Sequence, residues 1–280
     1  MFARVWGCRG TIAAPGPSTV GYGGNTSCVE VRLDDGSVVI LDAGTGARAL
    51  GAALLEEGVT RIHLLLTHLH LDHLEGLGTF EPIWRPETEL HVWGPASPVH
   101  SLRQRIATYF SPPLFPVHLA NVPARVDFHD APEGEWTIGS ATVSSRSIMH
   151  PGATVGYRID DPGRSLAYLT DHEPAFAMDL RSVGTEWISG FGLAWGADVL
   201  FHDCQYTERE YAVREGFGHS STDHVATFSR RCDVGRVLLY HHYPMHADPE
   251  LESMRDRVRD LWTGAGDRVD LAAEGMLVEP

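Results

Sequence analysis

The pattern of apolar and polar positions predicts three strands and a helix in the first 70 residues. Residues 27–34 alternate, Asp35-Gly36 supplies a tight turn, and residues 37–41 continue as a second strand. Residues 47–57 keep helical spacing, and residues 62–67 form the short apolar run of a buried strand. The chain therefore reaches residue 68 along a strand that would hold its backbone rigidly.

Strand and helix patterns alternate through the rest of the chain. Further strands, each ending near a His or Asp, are predicted at residues 141–147, 154–159, 165–170, 199–202 and 236–240. A last helix is predicted with Asp248 as N-cap and Pro249 in its first turn. Residues 79–123 are rich in proline and aromatic residues, which predicts a loop-bearing, lid-like insertion over a substrate pocket. Since no linker or repeat interrupts the pattern, we expect one domain over residues 1–280.

The composition is that of a soluble globular protein, with 43% hydrophobic and 21% charged residues in 280. Cys8, Cys28, Cys204 and Cys232 show no CxxC spacing, so reduced thiols are expected. No apolar run is long enough to span a bilayer, and the N-terminus lacks the succession of segments that makes a signal peptide. We therefore expect a cytoplasmic protein without a membrane partner.

The net charge limits the partners. Twenty-two basic and 37 acidic residues give −15, and no run of basic residues is present. This argues against binding long nucleic acid. A small anionic substrate remains compatible, because bound metal cations reverse the local potential. A homodimer is left open.

Residues 67–73 (THLHLDH) place His68, His70, Asp72 and His73 directly after the predicted strand. An isolated histidine is more often structural, but four ligand-type residues in this pattern are hard to explain as packing. A loop leaving a strand can aim His68 and His70 at one metal ion and Asp72 and His73 at a second. Imidazole with carboxylate suits zinc, manganese or iron better than calcium. We predict two divalent ions, with zinc as the first choice.

The HxHxDH pattern resembles the signature of the metallo-β-lactamase superfamily, whose fold is a four-layer αββα sandwich of the α/β class. Suitable residues for the rest of that superfamily's site occur in the right order, each after a predicted strand: His150, Asp171 and His241. The resemblance implies one ion on His68, His70 and His150, a second on Asp72, His73 and His241, and Asp171 as a bridge between them. Asp72 is also counted as catalytic.

Two neighbouring histidines leave alternatives. His242 adjoins His241, and His172 adjoins Asp171, so either neighbour could take the ligand role. His241 is preferred because it is the first residue past its strand and matches a Thr-His-x-x-Pro pattern that ends at Pro244. Asp42 resembles the superfamily's buried aspartate, which orients the ligand loop instead of binding metal.

Two further segments resemble the tRNase Z branch. Residues 202–206 (HDCQY) are similar to its His-Glu-Ala-Thr segment, and residues 218–222 (GHSST) are similar to its His-Ser-Thr loop. The resemblance implies that Asp203 orients His219, which protonates the leaving oxygen. This chain has Asp203 where the tRNase Z segment has glutamate, and the shorter aspartate side chain reaches less far toward His219. The alternative for His219 is a helix N-terminus, with Ser220 and Asp223 approximating a capping box, and both can hold together.

Residues 6–12 and 23–27 resemble class II cyclic-nucleotide phosphodiesterases. Arg9 in this block could meet a substrate phosphate or pair with a surface carboxylate. The leading expectation is hydrolysis of a cyclic nucleotide or another small phosphodiester. The alternatives are an ester or lactone hydrolase that uses a tyrosine near the metals (Tyr109, Tyr206 or Tyr243) and a nucleotide sensor without turnover.

Overall fold

Two seven-stranded sheets face each other in the computed structural model, which describes all 280 residues. The first sheet takes the first six strands in chain order: β1 (Phe2–Gly7), β2 (Cys28–Arg32), β3 (Val38–Leu41), β4 (Arg61–Leu65), β5 (Glu89–Pro95) and β6 (Arg125–Ala131).

The second sheet takes the next seven strands, so each sheet is nearly continuous along the chain. These strands are β7 (Gly134–Ile138), β8 (Ala141–Ser147), β9 (Val155–Asp161), β10 (Arg164–Leu169), β11 (Val199–Asp203), β12 (Arg236–Tyr240) and β13 (Val269–Leu271). The last strand, β14 (Leu277–Val278), returns to the first sheet and pairs with β1.

Helices cover the outer faces of both sheets. They are α1 (Ala47–Glu56), α2 (Leu102–Tyr109), α3 (Phe191–Ala194), α4 (Glu208–Tyr211), α5 (Thr222–Arg231) and α6 (Asp248–Leu261). None of them combines the length and the apolar character that crossing a bilayer requires.

Three apolar clusters hold the layers together. One lies between the sheets and includes Val31 and Tyr157. The second packs α5 and α6 on the second sheet, and the third packs Leu50 and Leu54 of α1 on the first sheet. The order of layers is helix, sheet, sheet, helix, which confirms the predicted αββα sandwich. All four cysteines are buried and unpaired.

Strand direction explains where the polar residues gather. Strands β3 to β6 run parallel to one another, as do β10 to β13, while all other neighbouring strands pair in antiparallel fashion. In a parallel sheet the carboxyl ends of neighbouring strands lie at one edge. The residues that follow β3, β4, β10, β11 and β12 are therefore delivered to one side of the sandwich.

Part of the predicted insertion is an integral strand. Residues 89–95 form β5, which pairs with β4 on one side and β6 on the other. Its buried residues Leu90 and Val92 alternate with half-buried ones, the period of two that a strand requires. The prediction of a loop was wrong there. The proline-rich residues after α2 remain largely irregular.

The start of the last helix also differs by one residue. Ala247 is the N-cap and Asp248 is the first helical residue. The Asp248 carboxylate instead accepts a hydrogen bond of 2.7 Å from the backbone N–H of Gly21. The Asp248 side chain, which the local pattern assigned to the helix cap, therefore bonds to a residue distant in the chain instead.

Candidate metal centre

Four ligand-type side chains converge in a first cluster, formed by His68, His70, His150 and Asp171. His70 Nδ1 lies 2.8 Å from His68 Nε2 and 3.3 Å from His150 Nε2. Asp171 Oδ2 lies 3.6 Å from both His68 Nε2 and His150 Nε2. The four atoms lie within 4.8 Å of one another.

A second cluster is formed by Asp72, His73, Asp171 and His241, all buried. Asp72 Oδ2 lies 3.3 Å from His73 Nε2 and 3.2 Å from His241 Nε2. Asp171 Oδ1 lies 3.0 Å from each of the same two nitrogens. Asp171 thus presents one carboxylate oxygen to each cluster, as a bridging ligand would.

The donor atoms fit a cation better than they fit one another. His73 Nε2 is buried and makes no hydrogen bond, although carboxylate oxygens of Asp72 and Asp171 lie close to it. Ligands at about 2.0–2.2 Å from a tetrahedral ion lie roughly 3.3–3.6 Å apart, close to the separations seen in both clusters. Imidazole and carboxylate donors together suit a divalent transition ion. The two clusters could therefore hold two such ions.

Charges within the clusters are strongly coupled. Burial would raise the pKa of Asp171, but His241, His73 and His68 hold that pKa well below its usual value. Burial would lower the pKa of His241, but Asp171, Asp203 and Asp72 raise it to about 10. The carboxylates thus stay ionised and draw positive charge into the buried site, as a cation site requires.

Asp42, Asp171 and His241 adopt left-handed backbone angles, with φ of 60°, 51° and 57°. Asp42 and His241 come directly after β3 and β12, and Asp171 follows β10 by two residues. Such a conformation costs about 1–3 kcal/mol and persists only where the surroundings enforce it. The sharp turns lie where the chain delivers side chains to the clusters.

Asp42 orients the His73 ring of the second cluster through the ring nitrogen that does not face the cluster. His73 Nδ1 lies 2.8 Å from Asp42 Oδ2, and the Asp42 carboxylate also accepts from Thr67 N at 2.8 Å and from the Tyr168 hydroxyl at 3.1 Å. With Nδ1–H donating to Asp42, the lone pair of His73 Nε2 is left for a cation. This geometry matches the orienting role that the resemblance implied.

The neighbouring histidines point elsewhere. His242 Nε2 donates to Ala272 O at 2.9 Å. His172 has one ring nitrogen 3.0 Å from His202 Nε2 and the other 3.1 Å from Ser189 O. Neither His242 nor His172 belongs to the two clusters, so of each adjacent pair the structure brings His241 and Asp171 to the site.

Asp203 and His219 form a close pair beside the second cluster. Asp203 Oδ2 lies 2.7 Å from His219 Nδ1, so the shorter aspartate reaches its partner. The His219 ring also stacks on that of His241, with centroids 5.2 Å apart and planes 14° from parallel. Burial would raise the pKa of Asp203, but His219 and His241 hold that pKa well below its usual value.

The helix next to this pair begins later than predicted. Ser221, not Ser220, is the N-cap of α5 and accepts from His224 N at 3.3 Å. Ser220 instead donates its hydroxyl to His172 O at 2.6 Å. His219 therefore lies outside the helix, in the loop that precedes it.

Arg9 is fully buried and serves the backbone. Its Nε donates to Gly23 O and one Nη donates to His246 O, both at 2.8 Å. Its other Nη lies 3.5 Å from the Asp248 carboxylate. Of the two alternatives that the sequence left open, these contacts fit the pairing with a carboxylate, and Arg9 also joins loops.

Glu173 is a residue that sequence reasoning missed. It is 1% exposed, and one of its oxygens accepts from the Tyr211 hydroxyl at 2.6 Å and from Gly216 N at 3.0 Å. The other oxygen accepts from Gly218 N at 3.0 Å. Glu173 thus orders the loop that carries His219. The only signal in the sequence is the run Asp171-His-Glu173 after a strand.

Comparison with known protein families and sequences agrees with the observed fold. The family model described as the beta-lactamase superfamily domain matches residues 38–242, most of the chain, so the chain belongs to the beta-lactamase superfamily. An uncharacterized protein of Mycobacterium tuberculosis is 30% identical over 249 residues, covering 75% of this chain and 84% of that protein. A ribonuclease Z of a Mycobacterium species is 27% identical over 241 residues, covering 79% and 80%.

Solved structures show the same fold. The metallo-beta-lactamase fold protein YhfI from Bacillus subtilis superposes with a TM-score of 0.70 at 17% identity, covering 99% of each chain. A diphosphatase from the PhnP family superposes with a TM-score of 0.69 at 20% identity, covering 100% of this chain and 97% of that one. This fold is that of metal-dependent hydrolases, which agrees with the two clusters.

Proposed function

We propose that this superfamily member is a phosphodiesterase that uses two divalent metal ions, with zinc as the first choice, to hydrolyse cyclic nucleotides or another small phosphodiester. The observation that carries the proposal is the contact of 2.7 Å between Asp203 and His219, next to His241 of the second cluster. A histidine held by a carboxylate beside the ion site suits protonation of a leaving alkoxide.

The ligands we propose are the two clusters. His68, His70 and His150 would hold one ion, Asp72, His73 and His241 the other, and Asp171 both. The separations between donor atoms and the unpartnered His73 Nε2 support this assignment. Such a pair of bound ions lowers the pKa of a water to about 7 and polarises a phosphoryl oxygen.

The protein's own groups then move a proton. Asp203 accepts from His219 Nδ1 and is fixed by the backbone N–H groups of Ser220 at 2.9 Å and Gln205 at 3.1 Å. In its protonated form, His219 keeps its Nδ1 proton, which is hydrogen-bonded to Asp203, and gives its Nε2 proton to the leaving oxygen. The His219 side chain is 11% exposed, so solvent can return the proton.

The net charge and the names of similar proteins support a compact phosphate ester as the substrate. The net charge of −15 opposes binding of long nucleic acid. Two similar proteins bear the names ribonuclease Z and diphosphatase, which denote chemistry at phosphorus. A small diester agrees with both considerations.

Ester or lactone hydrolysis on the same ions is the alternative. It would use a tyrosine hydroxyl near the ions, but the Tyr206 hydroxyl accepts from Gln205 Nε2 at 3.0 Å and the Tyr109 hydroxyl donates to Glu75 O at 2.8 Å. The Tyr109 proton is therefore committed to Glu75, whereas the Tyr206 hydroxyl keeps its own proton, so these contacts argue against Tyr109 alone. Comparing lactone and phosphodiester rates separates the two functions.

The deciding experiment uses two substrates with different leaving groups. Bis-p-nitrophenyl phosphate releases p-nitrophenolate, which leaves with little help from an acid, whereas a cyclic nucleotide releases an alkoxide that needs a proton. The metal-reconstituted wild type should cleave both. His219→Ala should lose about 10²–10⁴-fold in kcat on the cyclic nucleotide and much less on the nitrophenyl ester, with two ions still bound.

The exposed His118 provides the control, since His118→Ala removes an imidazole that belongs to neither cluster. Equal rates for His219→Ala and wild type on the cyclic nucleotide would remove the general-acid role. No cleavage of any phosphodiester by wild type carrying two ions would move the function to ester or lactone hydrolysis.

A further inference from the structure

A cavity of about 520 Å³ lies directly beside His68 and His70. Leucine, proline, alanine and tyrosine side chains form much of its wall, including Leu114, Tyr109 and Pro151. Arg105 is the only lining side chain with a permanent charge. A mostly apolar pocket with one fixed donor is the usual form of a site for an organic group.

The cavity wall is one face of α2. Arg105, Thr108 and Tyr109 follow the spacing of i, i+3 and i+4, which places them on one side of the helix. Leu102 and Ile106 lie on the adjoining face of the helix and are buried. The same helix thus packs along one face and contributes the neighbouring face to the cavity.

This wall is tied to the metal-ligand loop. The Tyr109 hydroxyl donates to the backbone oxygen of Glu75, which follows His73 by two residues, at 2.8 Å. On the packed side, Gly94 of β5 lets α2 approach, because a Cβ on Gly94 would lie 2.8 Å from Leu102 Cδ1. The helix is therefore held at a fixed position relative to His68 and His70.

Several N–H groups of the Arg105 guanidinium have no acceptor in the protein. Its only hydrogen bond goes from Nη2 to Pro95 O, its Nε is buried without a partner, and it forms no ion pair. A guanidinium has five N–H donors and no acceptor. Most of the donor capacity of this half-buried side chain is thus unused by the protein.

We propose that this cavity binds the organic group of the diester and that Arg105 donates hydrogen bonds to acceptor atoms on that group. The inference rests on the proposed phosphodiesterase function. A planar nucleobase matches the apolar walls and the Tyr109 ring. Because Arg105 can only donate, it favours bases that present carbonyl oxygens, such as guanine, over the mixed donor and acceptor edge of adenine.

The test compares three substrates with the metal-loaded enzyme. They are guanosine and adenosine 3′,5′-cyclic monophosphate and methyl p-nitrophenyl phosphate, which places only a methyl group beside the leaving group. Arg105→Met should lower kcat/KM for the guanosine substrate by about tenfold or more, mainly through KM. This loss should exceed the loss on the methyl ester by about tenfold.

Two further variants sharpen the result. Arg103→Met changes an exposed arginine of the same helix that does not line the cavity, so it controls for the loss of a charge. Arg105→Gln replaces a pure donor with a side chain that pairs with adenine, so the preference should move toward the adenosine substrate. A folded Arg105→Gln also keeps the test valid if Arg105→Met does not fold.

The outcomes separate this inference from the proposed function. Turnover by wild type with equal losses on all three substrates, or no loss, overturns the role of Arg105 and leaves the phosphodiesterase intact. If wild type cleaves no diester, calorimetric binding of guanosine and adenosine 5′-monophosphate to wild type and Arg105→Met decides. Weaker binding of the guanosine nucleotide to the variant supports the cavity, and equal binding overturns it.

Discussion

His150 Nδ1 donates a hydrogen bond of 2.9 Å to the backbone oxygen of Gly218. This bond leaves His150 Nε2 facing His70 and Asp171 in the first cluster. Gly218 directly precedes His219, so one loop both orients a proposed ligand and carries the proposed acid. The proposed metal binding and the proposed proton transfer would therefore be coupled through the position of this loop.

Gly218→Ala should disrupt that coupling. Gly218 has φ of +85°, and a Cβ there would overlap with His150 Nδ1 and Pro151 Cδ. We expect roughly a 10–100-fold loss of affinity at the first ion site, because the hydrogen bond that orients His150 is displaced. Metal content after dialysis and the rate of phosphodiester cleavage measure the effect.

Gly36→Ala is the matched control. Gly36 has φ of +86° but open space around a Cβ, so it carries the backbone strain without the overlap. It should lose about 1 kcal/mol of unfolding free energy and keep both ions. A Gly218→Ala protein that retains two ions at the control's level would show that the Gly218 contact does not orient His150.

The structure brings the predicted ligand residues together in two clusters, and the segments that carry them follow recognisable strands. The runs that end before His68, Asp171 and His241 are short and buried, and a strand end fixes the direction of the next side chain. Choosing between adjacent histidines needed the backbone. The left-handed φ of Asp171 and His241 decides which side chain turns to the clusters, and no local pattern reveals it.

What the sequence missed depends on contacts distant in the chain. Strand β6 carries charged residues and is only half-buried, since it is the edge strand of its sheet, so its apolar pattern is weak. No local pattern marks Glu173, and its burial arises only when residues 211–218 fold over it. The cap of α6 was displaced because Asp248 meets Gly21 and Arg9 from the other end of the chain.

Glu173→Gln should slow the proposed reaction without emptying the ion sites. An amide in place of the carboxylate would set N–H groups against the N–H groups of Gly216 or Gly218, so the loop carrying His219 would loosen. We expect the unfolding free energy to fall by about 1–3 kcal/mol and kcat on a cyclic nucleotide to fall by about tenfold. Chemical denaturation, metal counting and initial rates provide the three readouts.

Glu215 serves as the control because it is exposed in the same loop and accepts one bond of 3.2 Å, from Ala177 N. Glu215→Gln should change the unfolding free energy by no more than about 0.5 kcal/mol. If Glu173→Gln behaves like Glu215→Gln in kcat, Glu173 has no part in positioning His219.

Asp42→Asn should weaken the second ion site selectively. Asparagine tolerates the left-handed φ of 60° at this position about as well as aspartate, so the change removes charge and leaves the backbone conformation. His73 Nδ1 would lose its anionic acceptor, which should cost roughly 10–100-fold in ion affinity. Competition with a chelator measures this loss, with Asp270→Asn in the half-buried pair with Arg236 as the control. Equal affinity in the two variants would contradict the orienting role of Asp42.

His63 gives the stability a defined pH dependence. Burial, together with His91, Arg61 and His129, lowers the pKa of His63 to about 4, against a smaller opposing effect of Glu89. The folded state thus holds His63 neutral, while the unfolded chain binds its proton near pH 6.5, so stability is fully present above pH 6.5 and is lost as pH falls toward 4. Since the side chain is partly exposed, we expect about 1–2 kcal/mol of this loss to come from His63.

Urea unfolding at pH 7, 5.5 and 4.5 should show a shallower decline of the unfolding free energy for His63→Gln than for wild type. His118→Gln, which changes an exposed histidine, should follow wild type. Carboxylates and ion ligands titrate in all three proteins, so the difference between the curves isolates His63, and parallel curves for His63→Gln and wild type would exclude its contribution.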